Sequence, residues 1–153
     1  MTSRHMQFAV ALAVCSCLFL PACRKEGGEG VGKMKGQAAQ LTVTLSVDAG
    51  NCVQTLNGVP TAVVFLDPGD TVTFQTANNI PFLLQFPPPN ANGCQSPFRD
   101  AGGNCQSSFS NANPTSGGAV GAAGASFRYG TLSINGAACN LNGGPQPLGV
   151  RMR

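Results

Sequence analysis

Strict alternation of apolar and polar residues marks several segments after Gln40 and predicts β-strands. Residues 41–47 alternate without a break, which is typical of a strand with one buried face and one wet face. Residues 71–75 and 148–152 repeat the pattern. From the alternation we predict side chains that point into a core: Leu41, Val43, Leu45, Val72, Phe74, Leu148 and Val150.

Turn signals separate these segments into short pieces. Asn57-Gly58 lies between the apolar stretches 52–56 and 59–66 and is a strong signal for a two-residue hairpin. Asp67-Pro68-Gly69-Asp70 has the composition of a tight turn, because proline fixes one φ angle and glycine permits a positive one.

Two further strands are predicted at residues 80–86, ended by three prolines, and at residues 127–134, ended by Asn135-Gly136. No segment after Gln40 shows a helical period with caps. About seven short strands therefore predict an all-β, two-sheet sandwich over residues 40–153.

The stretch 87–126 is the exception, since proline, asparagine, glycine, serine and alanine dominate it. So long a connection is usually a functional loop, and we expect this one to contact a partner or the cell wall. Within it, residues 117–125 are expected to be mobile and deletable at almost no cost in stability.

The N-terminus has the organisation of an export signal. A short start containing Arg4 precedes the apolar run 8–20, which ends at Leu20-Pro21-Ala22-Cys23. This tetrapeptide resembles the lipobox of bacterial lipoproteins, with Pro21 as a mild departure. The resemblance implies that residues 1–22 are removed as a signal peptide and that Cys23 is acylated. The alternative is an ordinary signal peptide cut after Ala22, which leaves Cys23 as a free thiol or a disulfide partner.

Residues 23–39 consist mainly of glycine, lysine, glutamate and alanine, and this composition predicts a flexible tether. The lipid on Cys23 makes the membrane the expected partner. In enteric lipoproteins an aspartate after the acylated cysteine favours the inner membrane, so Arg24 favours the outer membrane here. We therefore expect an exported protein, anchored by lipid in the bacterial cell envelope, with a protein or cell-envelope partner that the sequence does not identify.

From Gln40 onward the formal charges cancel. The charged residues of this part are four arginines and four aspartates: Arg99, Arg128, Arg151, Arg153, Asp48, Asp67, Asp70 and Asp100. The net charge of +3 for the whole chain therefore comes from the residues before the sandwich. A neutral domain argues against a nucleic-acid partner.

Four cysteines follow Cys23, and an even number in an exported chain implies disulfides, with three possible connectivities. Cys94 and Cys105 bracket a short loop, so we expect them to pair, which leaves Cys52 with Cys139. The alternative is a four-cysteine metal site, although these spacings contain no Cys-x-x-Cys pair and do not resemble a zinc ribbon.

The segment 68–74, Pro-Gly-Asp-Thr-Val-Thr-Phe, resembles a strand of cupredoxin-like domains, as do Phe127-Arg128-Tyr129, Cys139 and the closing Gly149-Val150. The resemblance extends to small exported bacterial domains that keep the sandwich without copper, and an Ig-like sandwich matches part of it. A type 1 copper site needs two imidazoles and a thiolate, whereas the only histidine is His5 in the signal peptide. We expect no bound copper and no other cofactor.

The missing histidine also removes Ser-His and Cys-His pairs, so no catalytic residue is expected and the protein is predicted not to be an enzyme. The expected function is a non-catalytic binding or structural domain. The alternative is a degenerate cupredoxin that still handles metal through Cys94 and Cys105. Four residues are candidates for a polar patch on one sheet face, or else for solvated faces of edge strands: Arg128, Tyr129, Arg151 and Arg153.

Overall fold

A computed structural model describes residues 37–153, and the fold of this part is an all-β sandwich. It contains a single 3-10 turn at Ala77–Asn79 and no helix long and apolar enough to cross a membrane. The strands are β1 (Gln40–Asp48), β2 (Asn51–Leu56), β3 (Val59–Pro60), β4 (Val63–Leu66), β5 (Thr71–Thr76), β6 (Phe82–Gln85), β7 (Ser108–Ser110), β8 (Ser126–Arg128), β9 (Thr131–Ile134), β10 (Ala137–Ala138) and β11 (Gly149–Met152).

These strands form three sheets where two were predicted. The first sheet has the order β3-β2-β1-β5, the second β10-β9-β6-β7, and the third β4-β11-β8. β1 pairs with β2 antiparallel and with β5 parallel, and β11 pairs parallel with β4 and antiparallel with β8. The predicted hairpin at Asn57-Gly58 is confirmed, with φ angles of 53° and 79° at the two residues.

Two predicted strands are each divided between sheets. The segment 59–66 forms β3, which pairs with β2, and then β4, which pairs with β11. The segment 127–134 likewise provides β8 to the third sheet and β9 to the second. The sequence does not mark these changes, because apolar residues occur on both sides of each junction.

The segment 87–126 is folded into the sandwich, which corrects the expectation of a structureless loop. It contributes β7 and three fully buried side chains, Phe98, Phe109 and Ala119. Phe98 and Phe109 stand alone among polar residues, and Ala119 lies in a stretch of glycine and alanine, so no alternating pattern predicts that these residues are buried.

The expectation that residues 117–125 are mobile and dispensable is also wrong. The backbone N–H of Ala119 donates to the Asp70 carbonyl at 2.7 Å, and its carbonyl accepts from the Gly69 N–H at 2.8 Å. At Gly117 a Cβ atom would lie 1.6 Å from the Arg99 carbonyl oxygen, so only glycine fits where the two segments cross. Deleting this stretch would remove core contacts and backbone hydrogen bonds together.

The core follows the predicted alternation. Val43, Leu45, Val72, Phe74 and the predicted residues of the last strand are buried, whereas Leu41 is partly buried at the margin. At the centre lies a cluster of rings in edge-to-face or tilted contact, formed by Phe74, Phe86, Phe98, Phe109 and Tyr129. Such contacts add to the free energy gained from burial alone. The long segment 87–126 therefore supplies two of the five rings.

Candidate functional site

The predicted acylation site, Cys23, lies outside the described residues, as do the predicted signal peptide at 1–22 and the predicted tether up to residue 36. The site residues that the structure describes are the four later cysteines and the candidate polar patch.

Both expected disulfides are present. Cys52 in β2 is bonded to Cys139, directly after β10, and so joins the first sheet to the second. Cys94 is bonded to Cys105 and closes a loop within the segment 87–126. Across residues 37–153 no group of three or more His, Cys, Asp or Glu side chains is arranged to hold a metal ion. Two disulfides are typical of an exported protein.

Three of the four candidate patch residues lie in strands of the third sheet or directly after one. Arg151 in β11 is level with Phe65 in β4 and with Ser126 in β8, and Arg128 is level with Gly149. Since side chains of paired residues share a face, and so do those two apart along a strand, these side chains point outward together. We call this surface the arginine face and define it as Val63, Phe65, Ser126, Arg128, Arg151 and Arg153.

The arginine face borders an open groove of about 490 Å³. The groove runs over β11, with Gln146 and Pro147 among its lining residues. Gly149 keeps β11 close to β8, because a Cβ atom there would lie 2.3 Å from the Phe127 carbonyl oxygen. The ring of Phe65 is 46% exposed, although its neighbours Val64 and Leu66 are fully buried. The face therefore combines cationic groups with an exposed aromatic ring.

The guanidinium groups of this face differ in their partners. Arg153 lies 5.7 Å from the centroid of the Phe65 ring and forms a long, exposed ion pair with Asp67 at 3.9 Å. Within residues 37–153, neither Arg128 nor Arg151 has a carboxylate within ion-pair distance. Both side chains are exposed and thus accessible to an external anion.

The arginine face holds most of the positive charge of the sandwich. Three of the four arginines of residues 40–153 belong to it, where Asp67 is the only nearby ion-pair partner found in the described part. The other charged residues of residues 40–153 are Arg99, Asp48, Asp70 and Asp100, which together carry a net charge of −2. The arginines of the face and Asp67 thus carry a net charge of +2 in a domain with no net charge.

Tyr129 does not belong to the patch, contrary to the sequence-based expectation. The side chain is buried, and its hydroxyl group donates a 2.7 Å hydrogen bond to Oε1 of Gln54. Burial raises the pKa of Tyr129 well above its ordinary value. Gln54, itself fully buried, donates from Nε2 to the carbonyls of Ala62 at 2.8 Å and Gly149 at 3.3 Å. This pair is a structural link between the first sheet and the third.

The expected binding loop presents a different kind of surface. A polar depression of about 450 Å³ there is lined by Asp100, Gln106, Ser108 and Thr115, among other residues. The Asp100 carboxylate accepts hydrogen bonds from the backbone N–H groups of Asn104 and Gly102, and these bonds, together with the Asn104 side chain, lower the pKa of Asp100. The only carboxylate of this depression is thus engaged in shaping its own turn.

Sequence reasoning found the arginines of the face but missed Phe65 and Gln54. Phe65 stands in a run of four apolar residues, 63–66, in which alternation cannot show which side chain points outward. Gln54 is a polar residue in an otherwise apolar position of β2, and this departure from the pattern was its only signal.

Comparison with known proteins gives no match among family models, curated proteins or solved structures. Function is therefore inferred from the chemistry of the site residues alone. Guanidinium groups bind oxyanions by paired, charge-assisted hydrogen bonds and do not titrate near neutral pH. The arginine face is suited to binding an anion and holds no nucleophile paired with a base.

Proposed function

We propose that this protein is an exported bacterial lipoprotein, anchored in the cell envelope through Cys23, whose sandwich is a non-catalytic binding domain. The arginine face is its contact surface and takes an anionic partner. The observation that carries this proposal is a pair of guanidinium groups, those of Arg128 and Arg151, beside the exposed ring of Phe65 on an open groove; neither has a carboxylate partner among residues 37–153.

The anchor is supported by the lipobox-like sequence Leu20-Pro21-Ala22-Cys23 behind an apolar run. Two disulfides are typical of a protein in an oxidising compartment outside the cytoplasm. Stable membrane attachment needs two acyl chains or one chain with a second signal, and a diacylated cysteine supplies the two chains. Arg24 favours the outer membrane as the location of the anchor.

Binding is favoured over metal handling because all four cysteines of the sandwich are engaged in disulfides. Binding is also favoured at the arginine face over the segment 87–126, whose aromatic side chains are buried in the core. No histidine follows residue 5, so neither surface offers an imidazole as a general base.

The anchor is tested by metabolic labelling with radioactive palmitate. We expect label in the wild-type protein, recovered with membranes, and none in Cys23→Ser. Cys17→Ser, which changes another cysteine of the N-terminal region, should label like the wild type. Equal labelling of wild type and Cys23→Ser, or no labelling of either, would show that Cys23 is not an acylation site.

A further inference from the structure

We propose that the arginine face docks on an anionic phospholipid surface, so that the third sheet lies against the headgroups of the membrane that holds the anchor. This inference extends the proposed function by naming the partner of the same surface. It rests on the proposed anchoring through Cys23, although the docking itself is a property of the sandwich.

The chemistry of the face matches a phospholipid interface. Arg128 and Arg151 have no carboxylate partner in the described part of the chain, and a guanidinium fork fits two oxygens of a phosphate group. Phe65 lies level with Arg151 on the same face and is 46% exposed. Basic side chains beside an exposed aromatic ring are typical of surfaces that lie in the headgroup region, where the ring enters the acyl boundary.

Charge also favours docking through this face. Three of the four arginines of residues 40–153 belong to it, and Asp67 is paired with one of them, so this surface carries a net charge of +2 although the domain as a whole is neutral. An anionic surface attracts this concentration of positive charge, so docking through the face is favoured over contact through the rest of the sandwich. A soluble anion gains less because it contacts only a few of these groups.

Attachment through residues 23–39 means that even weak docking can hold the sandwich on the membrane. Cys23 and Gln40 are 17 residues apart, so the chain between them cannot reach further than about 60 Å. An anchored sandwich is thus confined close to the bilayer, where the effective concentration of headgroups is high. A face of a few arginines and one aromatic ring is enough under these conditions.

The test uses the unacylated mature chain, residues 24–153, which retains every described residue of the sandwich. Its co-sedimentation with vesicles of phosphatidylcholine is compared with that on vesicles of equal parts phosphatidylcholine and phosphatidylglycerol. We expect binding to the anionic vesicles only, and release in about 1 M salt, where the screening length falls to about 3 Å. Since the chain carries no acyl group, this result is independent of the palmitate result.

Variants locate the contact. Arg128→Gln with Arg151→Gln is expected to weaken binding to the anionic vesicles about thirtyfold, or about fivefold for each arginine. The matched control, Lys33→Gln with Lys35→Gln, removes the same charge before the sandwich and should weaken binding much less. Thermal melts of both variants should coincide with that of the parent, since both arginines are exposed.

Three outcomes would overturn the proposal. The first is no binding of the parent to anionic vesicles at low salt. The second is an equal loss in the arginine and lysine pairs, which would mean that net charge alone is sensed. The third is binding to a soluble anionic polysaccharide, or to inorganic phosphate, without binding to vesicles, which would assign the face to a different anion.

Discussion

The arginine face and the segment 87–126 differ from their sequences' suggestion in opposite directions, one by being more exposed to a partner and the other by being more buried. The segment is long, polar and apparently suited to a partner, yet Phe98 and Phe109 take it into the centre of the core. The face belongs to short regular strands, yet it presents an exposed ring and two arginines that have no carboxylate partner in the described part of the chain. We conclude that a few isolated aromatic residues determine where a segment packs, whereas its average polarity does not.

The largest expected difference in stability between the two regions comes from substituting one phenylalanine in each. Phe98→Ala is expected to lower the free energy of unfolding by about 3–5 kcal/mol, because it removes a fully buried ring and leaves a cavity. Phe65→Ala is the matched control and is expected to cost less than about 1 kcal/mol, because its ring is half exposed and leaves no enclosed cavity. Both are measured by urea unfolding with the disulfides intact.

A larger loss for Phe65→Ala than for Phe98→Ala would contradict the comparison. It would mean that the third sheet is closed on its outer side and that the segment 87–126 is peripheral. Cys94 and Cys105 should remain oxidised in each sample, so that the loop between them is closed in both variants.

A smaller effect is expected at the polar link between the sheets. Tyr129→Phe leaves Oε1 of the buried Gln54 without its donor and should cost about 1–3 kcal/mol. Thr131→Val removes a longer hydrogen bond, 3.1 Å, from an exposed site and should cost less than about 0.5 kcal/mol. Equal effects in the two variants would show that Tyr129 and Gln54 are not sealed from water.

The same tyrosine gives a pH dependence. Burial raises the pKa of Tyr129 in the folded state, so the unfolded chain releases this proton first as the pH rises through about 10. Stability should therefore be unaffected by Tyr129 below that pH and should fall above it by up to about 1.4 kcal/mol per pH unit. Because it is the only tyrosine in the chain, tyrosinate absorbance should appear together with unfolding and not before it.

Strands with one apolar and one polar face are predicted correctly from the sequence. Buried residues that lie outside such an alternating pattern are not. Val72 and Phe74 alternate with threonines, and both are buried as expected. Phe98 and Phe109 have no alternating neighbours, so only tertiary packing shows that they are core residues.

The residues of the candidate site could likewise be predicted only in part. Arg128 and Arg151 are visible from the sequence as charges on predicted strands, but their separation from carboxylates emerges only when β11 is placed beside β4 and β8. Tyr129 was misplaced because it stands at the junction of β8 and β9, where the chain changes sheet and the alternation restarts.

We infer that the arginine face is the contact surface and that the segment 87–126 is not. This inference is best tested by following the NMR signals of individual arginine side chains. Arg99 belongs to the segment and donates to the carbonyls of Ser96 at 3.1 Å and Phe98 at 3.0 Å, so it is an internal control. The measurement is an NMR titration of the arginine Nε–H signals with anionic bicelles, each signal being assigned by substitution. The account predicts that the signals of Arg128 and Arg151 shift and broaden while that of Arg99 stays unchanged; a shift of Arg99 with Arg128 and Arg151 unaffected would contradict it.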